Sequence, residues 1–224
     1  MKKIILVYHG IGNTDKFLEV QQDAFERQIK YLQKKQFKFV HCDEILKYKK
    51  GNIVSIMFDD ALSSSETAIK YMETNNLKYS IAIIENYVNK KDNLKWEQLT
   101  TYKYAKLVFH TLDHYDLASL SKKDQEFQLN CKNDLINSKV VVYPMGKYNS
   151  DTIDILKQNG AELGMTVLPF HVTKKANKYM IPRICINGYL SMNKYKLFLT
   201  KLGNLYLHLA FIKRKILNQS YLDK

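Results

Sequence analysis

Two adjacent carboxylates close the apolar run Ile53–Ala61, which reads I-V-S-I-M-F-D-D-A. β-Favouring residues leading straight into Asp59 and Asp60 have the pattern of a strand buried on both faces that delivers charge at its carboxyl end. Like charges this close raise one another's pKa and burial adds to the cost, so a compensating metal ion is the usual solution. Successive side chains of an extended chain point to opposite sides, which predicts different roles for the two. Later in the chain, His110-Thr111-Leu112-Asp113-His114 spaces two imidazoles four positions apart, on one face if the segment makes a helical turn. With Asp60 they form a two-His, one-carboxylate set with open positions, suited to a catalytic divalent ion that acidifies a water and polarises a carbonyl. Asp59 is then free to take the proton. Each motif also has a plainer meaning: an Asp-rich turn after a strand, and a histidine pair in a structural role.

The elements that must hold these residues alternate between strand and helix. Ile4–Tyr8 reads as a first buried strand ending at His9, followed by the polar loop G-I-G-N-T. Gln22–Lys35 is a helix, with Phe25, Ile29 and Leu32 at helical spacing. Phe37–Val40 is a strand and Cys42–Tyr48 a short helix. After the Asp-Asp strand come a helix over Ser65–Thr74, a strand over Tyr79–Ile84, a helix over Lys95–Tyr104 and a strand over Lys106–Phe109. Ser121 with Asp124 resembles a capping box for a helix to about Ile136. Val140–Tyr143 is strand, and Ser150 caps a helix ending at Gly160. Leu163–Val167 and Met180–Ile186 are the last strands. Such alternation predicts an α/β fold with a parallel sheet and chemistry at the carboxyl ends of its strands. His9, Asp59, Asp60, His110 and Tyr143 all fall at such ends.

A length of 224 residues allows one sizeable domain, and no linker, repeat or low-complexity block divides it. Lys and Arg number 35 against 22 Asp and Glu, a net charge of +13, which favours an anionic partner. The lysines are scattered as on solvated helix faces, and no aromatic-basic motif accompanies them, so nucleic acid is not expected as a partner. Cys42, Cys131 and Cys185 are odd in number and far apart, as reduced thiols are. The apolar stretch before His9 is too short for a secretory signal, and no run approaches a spanning helix. The expected location is cytoplasmic.

Taken in order, F-D-D at Phe58–Asp60, H-T-x-x-H-x-D-L at His110–Leu117, Y-P-x-G at Tyr143–Gly146 and I-P-R-I at Ile181–Ile184 resemble the polysaccharide deacetylases of the NodB-homology group, carbohydrate esterase family 4. V-Y-H at Val7–His9, W-E-Q-L at Trp96–Leu99 and K-Y-N-S before the Ser150 helix extend the likeness over almost the whole chain. The resemblance implies a single distorted (β/α) barrel of about seven parallel strands, spanning 1–190, with a C-terminal helical tail over 191–224. It implies Asp59 as base and Asp60, His110 and His114 as ligands of one divalent ion, zinc first, with Co2+, Ni2+, Mn2+ and Fe2+ as alternatives. Thr111 would support the histidine loop. Tyr143 matches the position whose backbone N–H steadies the oxyanion, with Pro144 stiffening the loop and Met145 at a substrate-contact position. Arg183 sits where an arginine pairs with the base and lowers its pKa; a surface contact is the plainer alternative. His9 is expected in the floor of the site and not as a ligand.

The sequence also departs from that pattern. Ala61 replaces a glycine, Met145 a second tyrosine, and Phe109 a small residue, which is expected to narrow the pocket. The leucine-x-histidine motif that supplies a general acid is missing, and His171 is the nearest candidate. The implied reaction is removal of an N-acetyl group from an amino sugar carried on a nucleotide, a lipid or an oligosaccharide, in the synthesis of a bacterial cell-surface polysaccharide. The alternative is a carbohydrate-binding pseudoenzyme of the same fold. From Lys194 to Leu217 the chain is apolar with basic ends, broken near Gly203 and Asn204. It reads as an amphipathic helix on the inner face of the membrane, or one packed on the barrel or on a second subunit.

Overall fold

β1 (Lys2–Tyr8) and the two-residue strands β2 (Gly10–Ile11) and β3 (Glu19–Val20) lead into α1 (Gln22–Lys34) in this computed structural model, which describes residues 1–12 and 17–216. β4 (Lys38–Phe39), β5 (Asn52–Phe58), α2 (Glu66–Thr74), β6 (Tyr79–Ile83), α3 (Trp96–Leu99) and β7 (Ala105–Phe109) follow. Then come α4 (Lys122–Gln128), β8 (Asn137–Val142), α5 (Ser150–Gln158), β9 (Leu163–Met165), β10 (Ile184–Cys185), α6 (Met192–Phe198) and α7 (Lys201–Ile216).

Seven strands form one curled parallel sheet in the order β10-β1-β5-β6-β7-β8-β9, with β4 beside the start of β5. The curl closes through the segment before β10. Met165 bridges Ile181, whose N–H donates to Gly164 O at 2.9 Å and whose carbonyl accepts from Thr166 N–H at 2.9 Å. On its other side the same strap pairs Leu6 with Ile184 and sends Ile186 N–H to Val7 O at 2.8 Å. Because it divides its backbone bonds between β9 and β1, only Ile184–Cys185 of the expected Met180–Ile186 strand is regular.

Alternation along the strands sorts the core into two layers. Ile5, Val7, Met57, Ala82, Val108, Val140 and Val142 fill the barrel interior. Ile4, Leu6, Tyr8, Ile56, Phe58 and Ile81 face the helices, against Phe25, Ile29, Ala68 and Met72. A strand buried on both faces has no polar positions to spare, which is why these segments read as continuous apolar runs. Phe109 belongs to the outer layer and is fully buried there, so it does not narrow the mouth of the barrel.

Several helices stop earlier than their sequences predict. α3 ends after one turn because Thr100 Oγ1 and Thr101 Oγ1 donate back to the carbonyls of Trp96 and Gln98, while Glu73 takes the N–H groups of Lys103 and Tyr104. Ser121 caps α4 as expected, but the helix ends at Gln128, whose side chain is drawn away to a loop described below. Cys42–Tyr48 makes a tight turn of helix at Cys42–Glu44 that runs on as a hydrogen-bonded turn, with Lys47 N–H donating to Glu44 O at 2.9 Å, and no regular α-helix. The cap of α5 is Asn149, which accepts from Thr152 N–H at 3.0 Å, and not Ser150. In the tail the break falls at Leu199–Thr200. Gly203 lies inside α7, where a Cβ would stand 1.8 Å from the Leu197 carbonyl oxygen. Residues 217–224 of the expected tail and residues 13–14 of the G-I-G-N-T loop lie outside the described residues.

Candidate metal centre and catalytic carboxylate

Asp59 continues the inward-facing series of β5 and is 3 % exposed. Inside the barrel it meets Arg183, which is fully buried and comes from the closing strap. One guanidinium nitrogen, Nη1, donates to both carboxylate oxygens at 2.8 and 2.9 Å, while Nε donates to Thr166 O at 2.9 Å. Burial alone would raise the Asp59 pKa; Arg183, with His110 and His9, outweighs it and holds the carboxyl below its ordinary value. A surface role for Arg183 is thereby excluded.

The next residue turns the other way. Asp60 and Ala61 adopt φ of +67° and +49°, so the chain leaves the strand through two left-handed residues without a glycine. Neighbouring backbone holds this turn: Asn93 Nδ2 donates to Asp60 O at 2.8 Å and Leu94 N–H to Ala61 O at 2.8 Å. Asp60 is thus swung toward the mouth of the barrel, beside the histidines.

Those histidines meet without the helical turn that their spacing predicts. His110 immediately follows β7 and His114 lies in an irregular loop, with Thr111 and His114 at φ of +67° and +62°. Thr111 Oγ1 accepts from His114 N–H at 3.0 Å, the supporting role expected of it. Gln128 clamps the loop from α4: its Oε1 accepts from Asp113 N–H at 2.9 Å and its Nε2 donates to Asp113 Oδ2 at 2.8 Å. Asn86 Nδ2 holds the other carboxylate oxygen at 2.8 Å. The rings end 4.8 Å apart and nearly perpendicular.

His110 Nδ1 is engaged by Val142 O at 2.8 Å, which leaves Nε2 to face Asp60. Asp60 Oδ1 lies 3.4 Å from His110 Nε2 and 3.7 Å from His114 Nε2, and all three donor atoms fall within 4.8 Å of one another. Yet Oδ1, though buried, accepts no aligned hydrogen bond. Bonds of about 2.0–2.1 Å to a tetrahedral ion separate the donor atoms by about 3.4 Å. An orphaned carboxylate oxygen in that cluster therefore fits a divalent cation. Burial alone would raise the Asp60 carboxyl, but His110, then His9 and His114, hold it well below the ordinary range. Burial, then His110, lowers His114 in turn.

The loop after β8 corrects an expectation. Tyr143 N–H is already donated to Met165 O at 3.0 Å, and its ring is fully buried in the outer layer, with its hydroxyl on Tyr179 O at 3.0 Å. Neither group is available to a substrate. Pro144 is buried and stiffens the turn that follows. Met145 projects instead, 37 % exposed with φ of +54°, and its N–H has no hydrogen-bond partner among the described residues. Gly146 behind it is obligatory, because a Cβ there would meet Val167 at 2.4 Å.

Two histidines change standing. His171 donates its backbone N–H to Asn204 Oδ1 and places its Nε2 2.7 Å from Phe198 O, while Val172 N–H bonds Lys3 O at 2.8 Å. It therefore sits at the amino end of β1, opposite the carboxylates, and is no candidate for an acid. His9 lies at the other end. Tyr8 pairs with Phe58 in register and Asp59 N–H bonds Tyr8 O at 2.9 Å, so His9 adjoins Asp59. Its Nδ1 is buried without a hydrogen bond. Its place at a strand's carboxyl end is the signal that puts it in the floor of the site.

The sequence profile of the family described as polysaccharide deacetylase matches residues 47–164. The poly-beta-1,6-N-acetyl-D-glucosamine N-deacetylase of Staphylococcus aureus is 30 % identical over 197 residues, covering 75 % of this chain and 68 % of its own. Among solved structures, the Streptococcus pyogenes deacetylase PplD in complex with acetate superposes with a TM-score of 0.82 at 21 % identity, over 89 % of this chain and 99 % of that one. IcaB from Ammonifex degensii gives 0.75 at 18 %, over 90 % and 97 %. At such identities these two establish the fold.

Proposed function

The chain belongs to the polysaccharide deacetylase family, and from that premise we propose that it hydrolyses the N-acetyl groups of amino sugars in a polysaccharide. The observation that carries this reading is the orphaned Oδ1 of Asp60 facing two imidazole nitrogens, beside a separate buried carboxylate with its own guanidinium. Asp60, His110 and His114 would hold one divalent ion, zinc first by its preference for nitrogen and carboxylate donors. When bound, such an ion polarises the acetamide carbonyl and lowers the pKa of a water.

The chain's own residues divide the rest of the work. Asp59, held ionised by Arg183, takes a proton from the attacking water. Arg183 positions that carboxylate by binding both oxygens through one nitrogen, so the base cannot rotate out of line. Met145 N–H, presented by a rigid Pro-Met-Gly turn, is a preorganised donor for the oxyanion that develops on the carbonyl. As the C–N bond breaks, the amine nitrogen takes a proton from His9, and acetate and the free amine leave. With His9 in that role, the missing leucine-x-histidine motif no longer argues by itself for an inactive, merely carbohydrate-binding protein. The S. aureus relative is named for poly-beta-1,6-N-acetyl-D-glucosamine, which makes oligomers of that sugar the first substrates to assay.

Acetate release from such oligomers by zinc-loaded protein tests the proposal. Asp59→Asn should lower kcat at least 10²-fold and His9→Gln by about 10²-fold, the usual span for a positioned acid or base. His114→Ala should lose bound metal in elemental analysis. Turnover that survives Asp59→Asn within tenfold would remove the base from this scheme.

A further inference from the structure

α7 turns an apolar stripe toward solvent. Leu202, Leu205, Tyr206, Leu209, Ile212 and Ile216 recur at helical spacing and are each 50–76 % exposed. The opposite side is already docked: Gly203 and Leu207 are buried, Asn204 Oδ1 accepts from His171 N–H, and His208 stacks on Phe170 with ring centroids 3.7 Å apart. The helix is therefore seated on the barrel, and the stripe is surplus to the fold. A contiguous apolar patch of this kind on an ordered surface marks a docking site.

Charge identifies what docks. Between Ser191 and Ile216 the chain has no Asp or Glu, while Lys194, Lys196, Lys201, Lys213 and Lys215 are all exposed along it. Lys2 and Lys174 bear electrostatically on His171 and Lys3 at the same end of the barrel. A second copy related by a two-fold axis would set these cations against their own kind. An anionic lipid surface complements them, and Tyr206 has the amphipathic ring favoured at the headgroup boundary. α7 has 16 residues, about 24 Å at 1.5 Å per residue, and among the described residues no helix is long and apolar enough to cross a bilayer.

We propose that α7 docks the protein on an anionic phospholipid bilayer, with its leucine stripe in the headgroup region and Lys201, Lys213 and Lys215 against lipid phosphates. The helix lies in the membrane plane. Because His171 ties it to the amino end of β1, the carboxyl-end mouth with Asp59 and Asp60 faces away from the lipid. A substrate then arrives from the aqueous side as an extended glycan, not from the headgroup layer. The docking stands on surface chemistry alone and is independent of the reaction proposed above.

Co-sedimentation of the full chain with sucrose-loaded vesicles of phosphatidylglycerol and phosphatidylcholine tests it, beside vesicles of phosphatidylcholine alone. Wild type should bind the anionic vesicles at least tenfold more tightly, and 0.5 M salt should weaken this binding, as screening requires. Leu205→Glu/Leu209→Glu and Lys213→Glu/Lys215→Glu should each reduce the affinity at least tenfold; these side chains are exposed, so unchanged circular-dichroism melts certify the fold. Absence of wild-type binding, or equal binding to neutral vesicles, overturns the proposal. So does a dimer in sedimentation velocity that Leu205→Glu/Leu209→Glu dissociates, which would assign the stripe to a second copy.

Discussion

Arg183 and Asp59 form a buried pair in which neither charge has another place to go, and this makes their energies separable by experiment. Arg183→Met leaves a carboxylate without its partner in the barrel interior, a situation that costs about 3–5 kcal/mol. In a chain of this size that is a fall in Tm of roughly 6–20 °C. Asp59→Asn/Arg183→Met should regain most of the loss while remaining inactive, since a neutral amide tolerates burial better than an ion. Additive effects in this double-mutant cycle would show that the two residues are not coupled. The cysteines offer a second residue-scale check: burial pushes the thiols of Cys42, Cys131 and Cys185 each up to about 12, far from the reactive thiolate. Native protein at pH 8 should keep Cys42, the fully buried thiol, from a disulfide reagent until the chain unfolds; three fast native equivalents would contradict that burial. The pairing of Asp59 with Arg183 spans 124 positions, and no local pattern in the sequence carries it. It was legible only through a family likeness. The sequence places His9 in the floor of the site but gives a lone histidine among six no sign of a proton-donor role, and the N–H of Met145, a backbone donor, leaves no mark in composition.

The histidine loop shows how an element can be right in content and wrong in shape. Spacing predicts a helical turn for His110 and His114, whereas two left-handed, non-glycine residues and a glutamine clamp deliver the same convergence. Replacing Gln128 by Leu removes both arms of the clamp at a 3 % exposed position. Metal affinity measured by calorimetry should then fall about 10- to 100-fold, the usual loss when support behind a ligand is removed. Gln128→Glu should restore the Asp113 N–H bond and recover only part of the affinity. An affinity unchanged in Gln128→Leu would mean that Thr111 and Asn86 suffice. Strands were the more legible elements, because burial on both faces writes an unbroken apolar run into β1, β5 and β6. Helix ends were not, because Thr100, Thr101 and Glu73 end α3 through side-chain bonds that periodicity does not register. The left-handed exits at Asp60 and Thr111 are invisible for the same reason, being imposed by partners distant in the chain.

At the scale of the whole molecule, an ion that binds only the folded barrel must stabilise it by mass action. Zinc at 100 times its dissociation constant contributes about 2.7 kcal/mol. For this chain length that raises Tm by roughly 5–10 °C, and a chelator should reverse it. Calorimetry of apo and zinc-loaded protein reads this directly, and coincident melts would sink the Asp60, His110 and His114 site. The strap that closes the barrel has one more consequence, which belongs to the ribosome. Arg183 is synthesised 124 residues after Asp59, an interval of roughly 6–25 s at 5–20 residues per second. Until it ends, β1 lacks its β10 neighbour and the carboxylate proposed as base has no guanidinium. A nascent chain is therefore chemically silent, and its half-curled sheet, open along β1 and β9, is the surface that a translation-coupled chaperone has most reason to cover.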